Sequence, residues 1–443
     1  MQNSALSPQE DATYRKIAWR IVPFLFLCYV VNFVDRVNIG FAKLQLLQDL
    51  QLNNEIFGIA AGMFFAGHMM FEVPSNLLLA RIGARKTLLR IMVSWGAITV
   101  LLMFVSNAPT LYLLRFLLGA AEAGFFPGVI LYLSYWFPDH RRGRITSLFV
   151  VALPMAGVIG GPLSGAIMGH MHHILGLRGW QWLFLVEGVL AILLGMLSLR
   201  VITDRPQQAS WLTPAEKTLL DTELDASIAR RRAVDAVPAS LRDVLRNPRV
   251  YLLACIYVTI VMCLNAVGFW IPSLLRQIGI QQIGNIGWLS GVISIISAIG
   301  VVLVGRSSDY RMERRWHVTG CGLATAVSFL LLQFVAHSAI WTAILLSIAS
   351  ACIYSVLSLF WTIAAAYLEG GAAASGIAVI TTLGSLGGIV SPVLIGTIRT
   401  HTGNIYGGLS VVAMLLMAGM LALLRLARAP RTGLAEAGAT RQH

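Results

Sequence analysis

The feature that most constrains the fold of this chain is a series of apolar runs, each long enough to cross a bilayer. A spanning helix needs about 20 predominantly apolar residues. The predicted spans cover residues 21–41, 56–79, 90–106, 109–136, 145–169, 180–202, 249–272, 286–305, 317–336, 339–361, 372–398 and 404–426. Because a helix satisfies its backbone polar groups internally, the chain is predicted to be an all-α integral membrane protein with twelve transmembrane helices.

Composition agrees with a membrane protein and argues against several function classes. Of the 443 residues, 57% are hydrophobic and 12% are charged, whereas about a quarter of residues are charged in soluble domains. The net charge of +13 comes from bases in short loops, so we expect no nucleic-acid binding, which needs bases gathered on one face. There is no CxxC pair and no GxxxxGK[ST] run, so we expect no metal site, no cofactor and no direct use of ATP.

The distribution of Lys and Arg predicts the orientation. Most of these bases lie in the loops that share a side with both termini, and the opposite side carries only Lys43, Arg178, Arg276 and Arg399. Short cytoplasmic loops are enriched in Lys and Arg, so both termini are predicted to be cytoplasmic. The first twenty residues are polar and mixed in charge, and we expect no cleavable signal peptide.

One long polar segment divides the spans into six and six. It covers residues 203–248 and is predicted to be a partly helical cytoplasmic linker, with Thr213 as N-cap and Glu216 completing a capping box. The predicted units are a cytoplasmic N-terminus (1–20), two six-helix bundles (21–202 and 249–426) and a cytoplasmic tail (427–443). Short basic turns recur at corresponding places in the two halves, NLLLARIGARK after the second span and GRSSDYRMERR after the eighth. Halves of this kind usually enclose a site at their interface.

Charged residues inside the spans are the main functional signal. The first span carries Asp35 and Arg36, and the fourth carries Arg115 and Glu122. Each costs roughly 2.5–3.5 kcal/mol at mid-bilayer, so each needs a partner or a water-filled cavity. Arg115 and Glu122 lie two turns apart, about 10.5 Å along the axis, so each is expected to pair with a group on another helix, and Asp35 and Arg36 are the obvious candidates.

These four charges are nearly neutral together. An entering anion would upset that balance, and protonation of a carboxylate would restore it, which is a physical route to proton-coupled anion uptake. A purely structural salt bridge is the alternative reading of the same charges. His68 in the second span is a further candidate for substrate or proton binding, whereas for Glu187 in the sixth span neither a structural nor a functional role is favoured.

Four segments carry a family resemblance: VVNFVDRVNIGFA (Val30–Ala42), FEVPSNLLLARIGARK (Phe71–Lys86), LRFLLGAAEAGFFPGVILYLSYWFP (Leu114–Pro138) and GWQWLFLVEG (Gly179–Gly188). They resemble the anion:cation symporter branch of the major facilitator superfamily, and most of all its bacterial permeases for tartrate, phthalate and hydroxyphenylacetate. The resemblance implies a major facilitator fold of two six-helix bundles, alternating access and uptake of an organic anion driven by a proton gradient. It also implies a multi-pass protein of the bacterial inner membrane that is not an enzyme.

The resemblance also assigns residues. Asp35 and Glu122 fall where the family binds protons, and Arg36 and Arg115 fall where it holds the anion. The other expected substrate-binding residues are His68, Tyr29, Asn32, Asn265, Trp361, Thr381 and Ser385. The expected gating-loop residues are Arg81, Gly83, Arg85, Gly305, Asp309 and Arg311.

The chain departs from the family pattern at several of these places. His68 stands where relatives commonly have Tyr, Thr381 and Ser385 where they often have Asn, and Ala80 where the wider superfamily has Asp.

The expected partners are a small organic anion, protons and the lipid bilayer, and the expected state is a monomer. An anion exchanger without obligatory proton coupling is the alternative. A membrane sensor or a membrane enzyme has no supporting feature in the sequence.

Overall fold

The computed structural model describes residues 8–234, 241–367 and 372–426, which form α-helices joined by short loops and 3₁₀ turns, with no strand in that part of the chain. The first half contains α1 (Pro8–Asp49), α2 (Asn54–Ile82), α3 (Ala84–Leu102), α4 (Ala108–Glu122), α5 (Phe125–Ser134), α6 (Asp139–His170) and α7 (Gly179–Val201). The connecting segment contains α8 (Pro214–Val234) and α9 (Leu241–Arg246). The second half contains α10 (Pro248–Gln277), α11 (Ile283–Tyr310), α12 (Arg315–Leu331), α13 (Ala339–Tyr367), α14 (Ala372–Thr402) and α15 (Ile405–Leu426).

The twelve predicted spans are confirmed as helices that are long and apolar enough to cross a membrane. The first differs from its prediction, because α1 begins at Pro8 and continues to Asp49. Residues 8–20, predicted as a cytoplasmic N-terminus, therefore belong to the same helix. The fourth span is two helices, α4 and α5. The predicted tail (427–443) and residues 1–7 lie outside the described residues.

The helices form two bundles of six spans. In the first bundle α3 packs on α7, α2 on α4, and α1 on α6 and α7; in the second, α10 packs on α14 and α15, and α12 on α13 and α15. Small residues permit close backbone approach. A Cβ placed on Gly96 of α3 would lie 2.6 Å from the carbonyl oxygen of Gly188 in α7, and the reverse distance is also 2.6 Å. Van der Waals packing at such positions drives helix association in lipid.

The two bundles meet chiefly along two helix pairs, α2 with α14 and α6 with α11, and α1 also contacts α10. Their closest approaches lie toward the end of the molecule opposite the termini. There a Cβ on Gly161 would lie 2.8 Å from the carbonyl oxygen of Gly287, and a Cβ on Gly58 would overlap the carbonyl oxygen of Pro392. We call this end, where α1 ends and α2 begins, the closed end.

An aromatic cluster with a buried cation reinforces the closed end. Lys43 of α1 is 4% exposed, and its Nζ, which has no hydrogen-bond partner, lies 3.3 Å from the ring centroid of Trp270 in α10. The ring of Phe57 in α2 lies 4.3 Å from the same ammonium, and Arg399 of α14 approaches Trp270 from 5.8 Å. Cations are attracted to aromatic faces, most strongly when desolvated, so this cluster ties the first bundle to the second.

The connecting segment docks on the first bundle. Trp211 stacks on Trp136 with centroids 5.6 Å apart, and Arg20 lies 5.0 Å above the ring of Trp211. The predicted capping box is confirmed, because Thr213 N donates to Glu216 at 2.8 Å and Glu216 N donates to Thr213 Oγ1 at 3.3 Å. The hydrogen bond from Thr213 N is the largest cause that holds the pKa of Glu216 below its usual value.

Candidate functional site

The fourth span is broken immediately after its buried carboxylate. α4 ends at Glu122, Ala123 has extended backbone (φ −57°, ψ 136°) and Gly124 has φ +84°, after which α5 begins at Phe125. Glycine adopts this left-handed conformation without the strain that a side chain would add. Pro127 lies in the first turn of the new helix, where its missing N–H leaves no donor unpaired. Discontinuous helices at membrane depth are typical of transporter binding sites.

Glu122 forms the ion pair of the site. Its Oε2 accepts a hydrogen bond from Arg36 Nη2 at 3.0 Å, and its Oε1 accepts one from Asn32 Nδ2. Glu122 is fully buried, whereas the Arg36 side chain is 21% exposed. The expected contact between the first and fourth spans is therefore confirmed for this pair, and Asn32 is a direct partner of the carboxylate.

Arg115 lies beside this pair without a partner of its own. The residue is fully buried, and none of its three guanidinium nitrogens has a hydrogen-bond partner in the described chain. Its Cζ lies 4.9 Å from the ring centroid of Phe64 in α2, and Arg36 Cζ lies 5.3 Å from the same ring. His68 stacks against Phe64 at 6.1 Å and has a buried Nδ1 without a partner. Two guanidinium groups and an imidazole thus surround one phenyl ring.

Asp35 does not pair with an arginine. Its Oδ2 accepts hydrogen bonds from Trp95 Nε1 at 2.9 Å and Thr99 Oγ1 at 3.0 Å, both from α3, and its Oδ1 accepts one from Asn38 at 3.2 Å. The expectation that Asp35 and Arg36 would both partner the charges of the fourth span is therefore wrong for Asp35. The side chain of Asp35 lies on the side of α1 that faces α3. The sequence of α1 alone does not show which neighbouring helix each of its faces contacts.

The sequence interpretation missed the partners of Asp35. Asn38 donates from Nδ2 to Asp35 and also to Glu187 Oε2 of α7, at 2.6 Å. Glu187 is 2% exposed and receives a longer bond, 3.4 Å, from Ser164 Oγ. In the sequence, Asn38 is distinguished only as a polar residue one turn after Asp35. Nothing in the sequence of the apolar third span marks Trp95 or Thr99 as partners of a carboxylate.

Solvent reaches this group at one point. Asp35, Arg115 and Glu122 are all at most 1% exposed, so Arg36 is the accessible member of the four in this conformation. The ring of Tyr29 is 7% exposed and packs among four phenylalanines, Phe33, Phe125, Phe126 and Phe149, with centroids 5.0–6.3 Å away. An anion arriving from water would therefore meet Arg36 first.

The candidate residues of the second bundle make no hydrogen bond to these charges. Asn265 Nδ2 donates to Val261 O of its own helix, Thr381 Oγ1 to Ile377 O, and Ser385 Oγ to Thr381 O. Trp361 belongs to an aromatic group with Phe360 and Tyr257, whose rings lie 4.9–5.5 Å apart. Tyr257 of α10 was not predicted.

The two basic turns differ in structure. In the first, Gly83 has φ +85° and Arg85 N donates to Asp204 Oδ1 at 2.8 Å. A carboxylate from the segment that follows α7 thus caps α3. In the second, Asp309 lies 3.8 Å from Arg314 on an exposed surface. Three gating candidates remain. Arg81 is exposed, and Arg311 directly follows the end of α11. A Cβ added to Gly305 would have no neighbour within 4 Å.

A separate cavity of about 60 Å³ lies between α1, α6, α10 and α11. Its polar lining comes mainly from Ser290, Ser294 and Ser297 on α11, which donate to backbone carbonyls of their own helix. None of the predicted site residues lines it.

Comparison with known proteins agrees with this architecture. The sequence model of the Major Facilitator Superfamily matches residues 25–392. A putative tartrate transporter of Agrobacterium vitis is 44% identical over 420 residues, covering 95% of this chain and 92% of that protein. The putative metabolite transport protein NicT of Pseudomonas putida is 42% identical over 402 residues, covering 91% of each chain.

Solved structures give the same fold at low sequence identity. A D-xylose–proton symporter has a TM-score of 0.72 at 13% identity, covering 91% of this chain and 97% of its own. A bacterial homologue of the human lysosomal transporter Spinster has a TM-score of 0.69 at 15% identity, covering 94% and 95%. The chain has twelve spans in two bundles, a family model covers most of its sequence, and relatives above 40% identity match it along nearly their whole length. The chain therefore belongs to the Major Facilitator Superfamily and is a membrane transporter rather than an enzyme.

Proposed function

We propose that the protein is a proton-coupled symporter that takes up a small organic anion by alternating access. The observation that carries the proposal is Arg115, a buried guanidinium with no hydrogen-bond partner among the described residues, beside the ion pair of Arg36 and Glu122. A buried charge without a partner is costly, so its retention is best explained by a ligand that completes its hydrogen bonds. The matching ligand is a carboxylate, whose two oxygens fit the planar fork of arginine.

Arg36 couples anion binding to protonation in this proposal. In the empty site Arg36 donates to Glu122, and a substrate carboxylate competes for the same donor. Protonation of Glu122 removes that competition, because a neutral acid no longer forms the charge-assisted bond. Proton and anion then favour each other's binding, with Asp35 as a second proton-binding carboxylate.

The rest of the binding site comes from both bundles. Phe64 and His68 of α2 lie against the two arginines, and we assign Tyr29 and Asn32 to the same wall. Closure of the bundles is proposed to bring the facing groups of the second bundle to the anion: Asn265, Trp361, Thr381 and Ser385. Tyr257 joins them, because its ring stacks on Phe360 beside Trp361.

We infer an inward-facing conformation. If the excess of loop bases marks the cytoplasm, both termini are cytoplasmic and the closed end faces the periplasm. The turns around Gly83 and Gly305 then lie at the cytoplasmic gate, with Arg81, Arg85, Asp309 and Arg311. Rocking of one bundle against the other would expose the arginines alternately to the two sides.

The substrate class is proposed from the relatives together with the two arginines. Relatives at 43–44% identity are named as putative tartrate transporters, which agrees with a small, polar carboxylate. We propose a bacterial inner-membrane protein that works as a monomer. A phthalate-like or hydroxyphenylacetate-like acid is the alternative cargo within the same class.

Transport by purified protein in liposomes tests this proposal. Labelled tartrate, phthalate and 4-hydroxyphenylacetate are offered with the outside acidified, and again without a pH gradient. A symporter accumulates its anion only with the gradient. Accumulation that needs a preloaded internal anion and ignores the gradient would instead establish an exchanger. Absence of both activities for all three acids would remove this substrate class.

A further inference from the structure

The first bundle contains a pair of buried carboxylates, Asp35 and Glu187, and the proposed mechanism does not use Glu187. Asn38 Nδ2 donates to Asp35 Oδ1 at 3.2 Å and to Glu187 Oε2 at 2.6 Å. One amide thus bridges two acids that come from different helices, α1 and α7. Both acids are at most 2% exposed.

No cation neutralises this pair. In the described chain neither carboxylate has an ion pair, and the groups that face them from neighbouring helices are uncharged: Trp95 and Thr99 from α3 and Ser164 from α6. Arg115 acts on Asp35 electrostatically without a hydrogen bond, and Arg36 is already paired with Glu122. Two like charges that share a dry site cannot both ionise without a large penalty.

Hydrogen bonding distinguishes the two acids. Asp35 accepts from three donors at 2.9–3.2 Å, and such bonds favour the ionised form. Glu187 accepts the shared amide bond and one long bond of 3.4 Å. Hydrogen bonding therefore stabilises the ionised form of Asp35 more than that of Glu187, so a single proton is held at lower cost on Glu187.

We propose that Glu187 carries a resident proton in this conformation and is the neutral member of a carboxyl pair with Asp35. The four charges of the site then balance, with Asp35 and Glu122 negative and Arg36 and Arg115 positive. Ionisation of Glu187 would add a negative charge beside Asp35 and oppose anion binding. This consequence for transport rests on the proposed function, whereas the protonation itself does not.

Infrared spectroscopy of the purified protein without substrate tests the protonation. The C=O stretch of a protonated carboxyl is expected at neutral pH in the wild type, and one such band should be lost in Glu187→Gln. Glu122→Gln is the matched control and should retain that band, because Glu122 is ion-paired. Loss of the band in Glu122→Gln, or its persistence in Glu187→Gln, would overturn the assignment.

Asp35→Asn gives an independent reading if Glu187→Gln does not fold. Without the neighbouring carboxylate, Glu187 should ionise more readily, so its band should disappear at a lower pH than in the wild type. An unchanged titration would show that the two acids do not interact.

Counterflow exchange of tartrate tests the consequence for transport, because exchange needs no net proton movement. Glu187→Gln should keep exchange at alkaline pH values where the wild type loses it. Identical alkaline limits would refute the effect on anion binding without affecting the infrared result, and absence of exchange in the wild type would count against the proposed function instead.

Discussion

Arg36 Nη2 lies 3.0 Å from Glu122 Oε2, although 86 positions separate the two residues in the chain. This contact joins α1 to the last residue of α4, at the point where the fourth span breaks. An exposed guanidinium edge and a buried carboxylate thus meet beside the unpaired Arg115.

Arg115→Gln should abolish anion uptake while the protein remains folded in the membrane. The glutamine keeps polar atoms at the position but cannot offer a charged bidentate donor, and truncating one side of a buried charged contact costs about 2–5 kcal/mol of binding. Uptake and tartrate-induced thermal stabilisation should both be lost. Arg249→Gln, at an exposed arginine where α10 begins, is the matched control. Normal uptake in Arg115→Gln would remove Arg115 from the anion site.

Glu122→Gln should lose accumulation driven by a pH gradient and keep counterflow exchange. The amide imitates the protonated acid, so Arg36 is free to bind the anion, but the side chain at this position no longer binds and releases a proton. Both activities are measured in the same liposomes, with Asp225→Asn at an exposed position of α8 as the control. Full gradient-driven accumulation in Glu122→Gln would exclude Glu122 from proton coupling.

Trp270→Ala should open the closed end. The substitution removes the ring that holds the buried Lys43 ammonium at 3.3 Å, and a desolvated cation–π contact contributes about 2 kcal/mol. Because each 1.4 kcal/mol changes an equilibrium constant tenfold, loss of this contact should raise the population that is open at this end roughly 30-fold.

A cysteine at Ile389, which packs against Gly62 across the bundle interface, reports on this opening through its labelling rate with an impermeant thiol reagent. The parent without Ile389→Cys corrects for the native cysteines. Trp270→Phe retains an aromatic face and should label more slowly than Trp270→Ala. Equal labelling of the wild type and both variants would mean that this cluster does not hold the end closed.

Gly119→Ala should destabilise the protein and impair transport. Its Cβ would overlap the carbonyl oxygen of Phe64 and lie 3.0 Å from His68 N, so α2 must move away from α4 and carry Phe64 with it. Overpacking of this kind costs about 1–3 kcal/mol. Gly320→Ala in α12, where an added Cβ meets nothing within 4 Å, should be neutral or stabilising by up to ~1 kcal/mol. Thermal unfolding in detergent compares the two, and equal melting temperatures would contradict the close contact.

The docked linker should loosen in acid. The pKa of Glu216 is held below its usual value, first by the bond from Thr213 N and also by Lys16. A carboxylate whose pKa is lowered by folding stabilises the fold above its unfolded value of 4.5, and that contribution is lost as the pH falls through the lower folded value. Hydrogen exchange of α8 should therefore rise on acidification below about pH 4.5 in the wild type. Glu216→Gln should exchange faster at neutral pH and respond less to acid.

The amino-acid sequence was sufficient to predict the twelve spans, their division into six and six, and the capping box at Thr213. It was also sufficient to identify the charged residues within the spans as functional candidates. These follow from local properties, because the length of an apolar run and the insertion cost of a charge do not depend on the neighbouring helices. The family resemblance added expected roles for Asp35, Arg36, Arg115 and Glu122, and these roles stay predictions.

The tertiary structure decided how the charges are partnered. Glu122 binds Arg36, Asp35 binds Trp95 and Thr99, and Arg115 binds no protein group. These outcomes depend on the rotation and depth of each helix, which are set by close contacts such as that of Gly119 with Phe64. The break at Gly124 and the bridge from Asn38 to Glu187 arise in the same way, because a helix in lipid takes its orientation from packing against other helices.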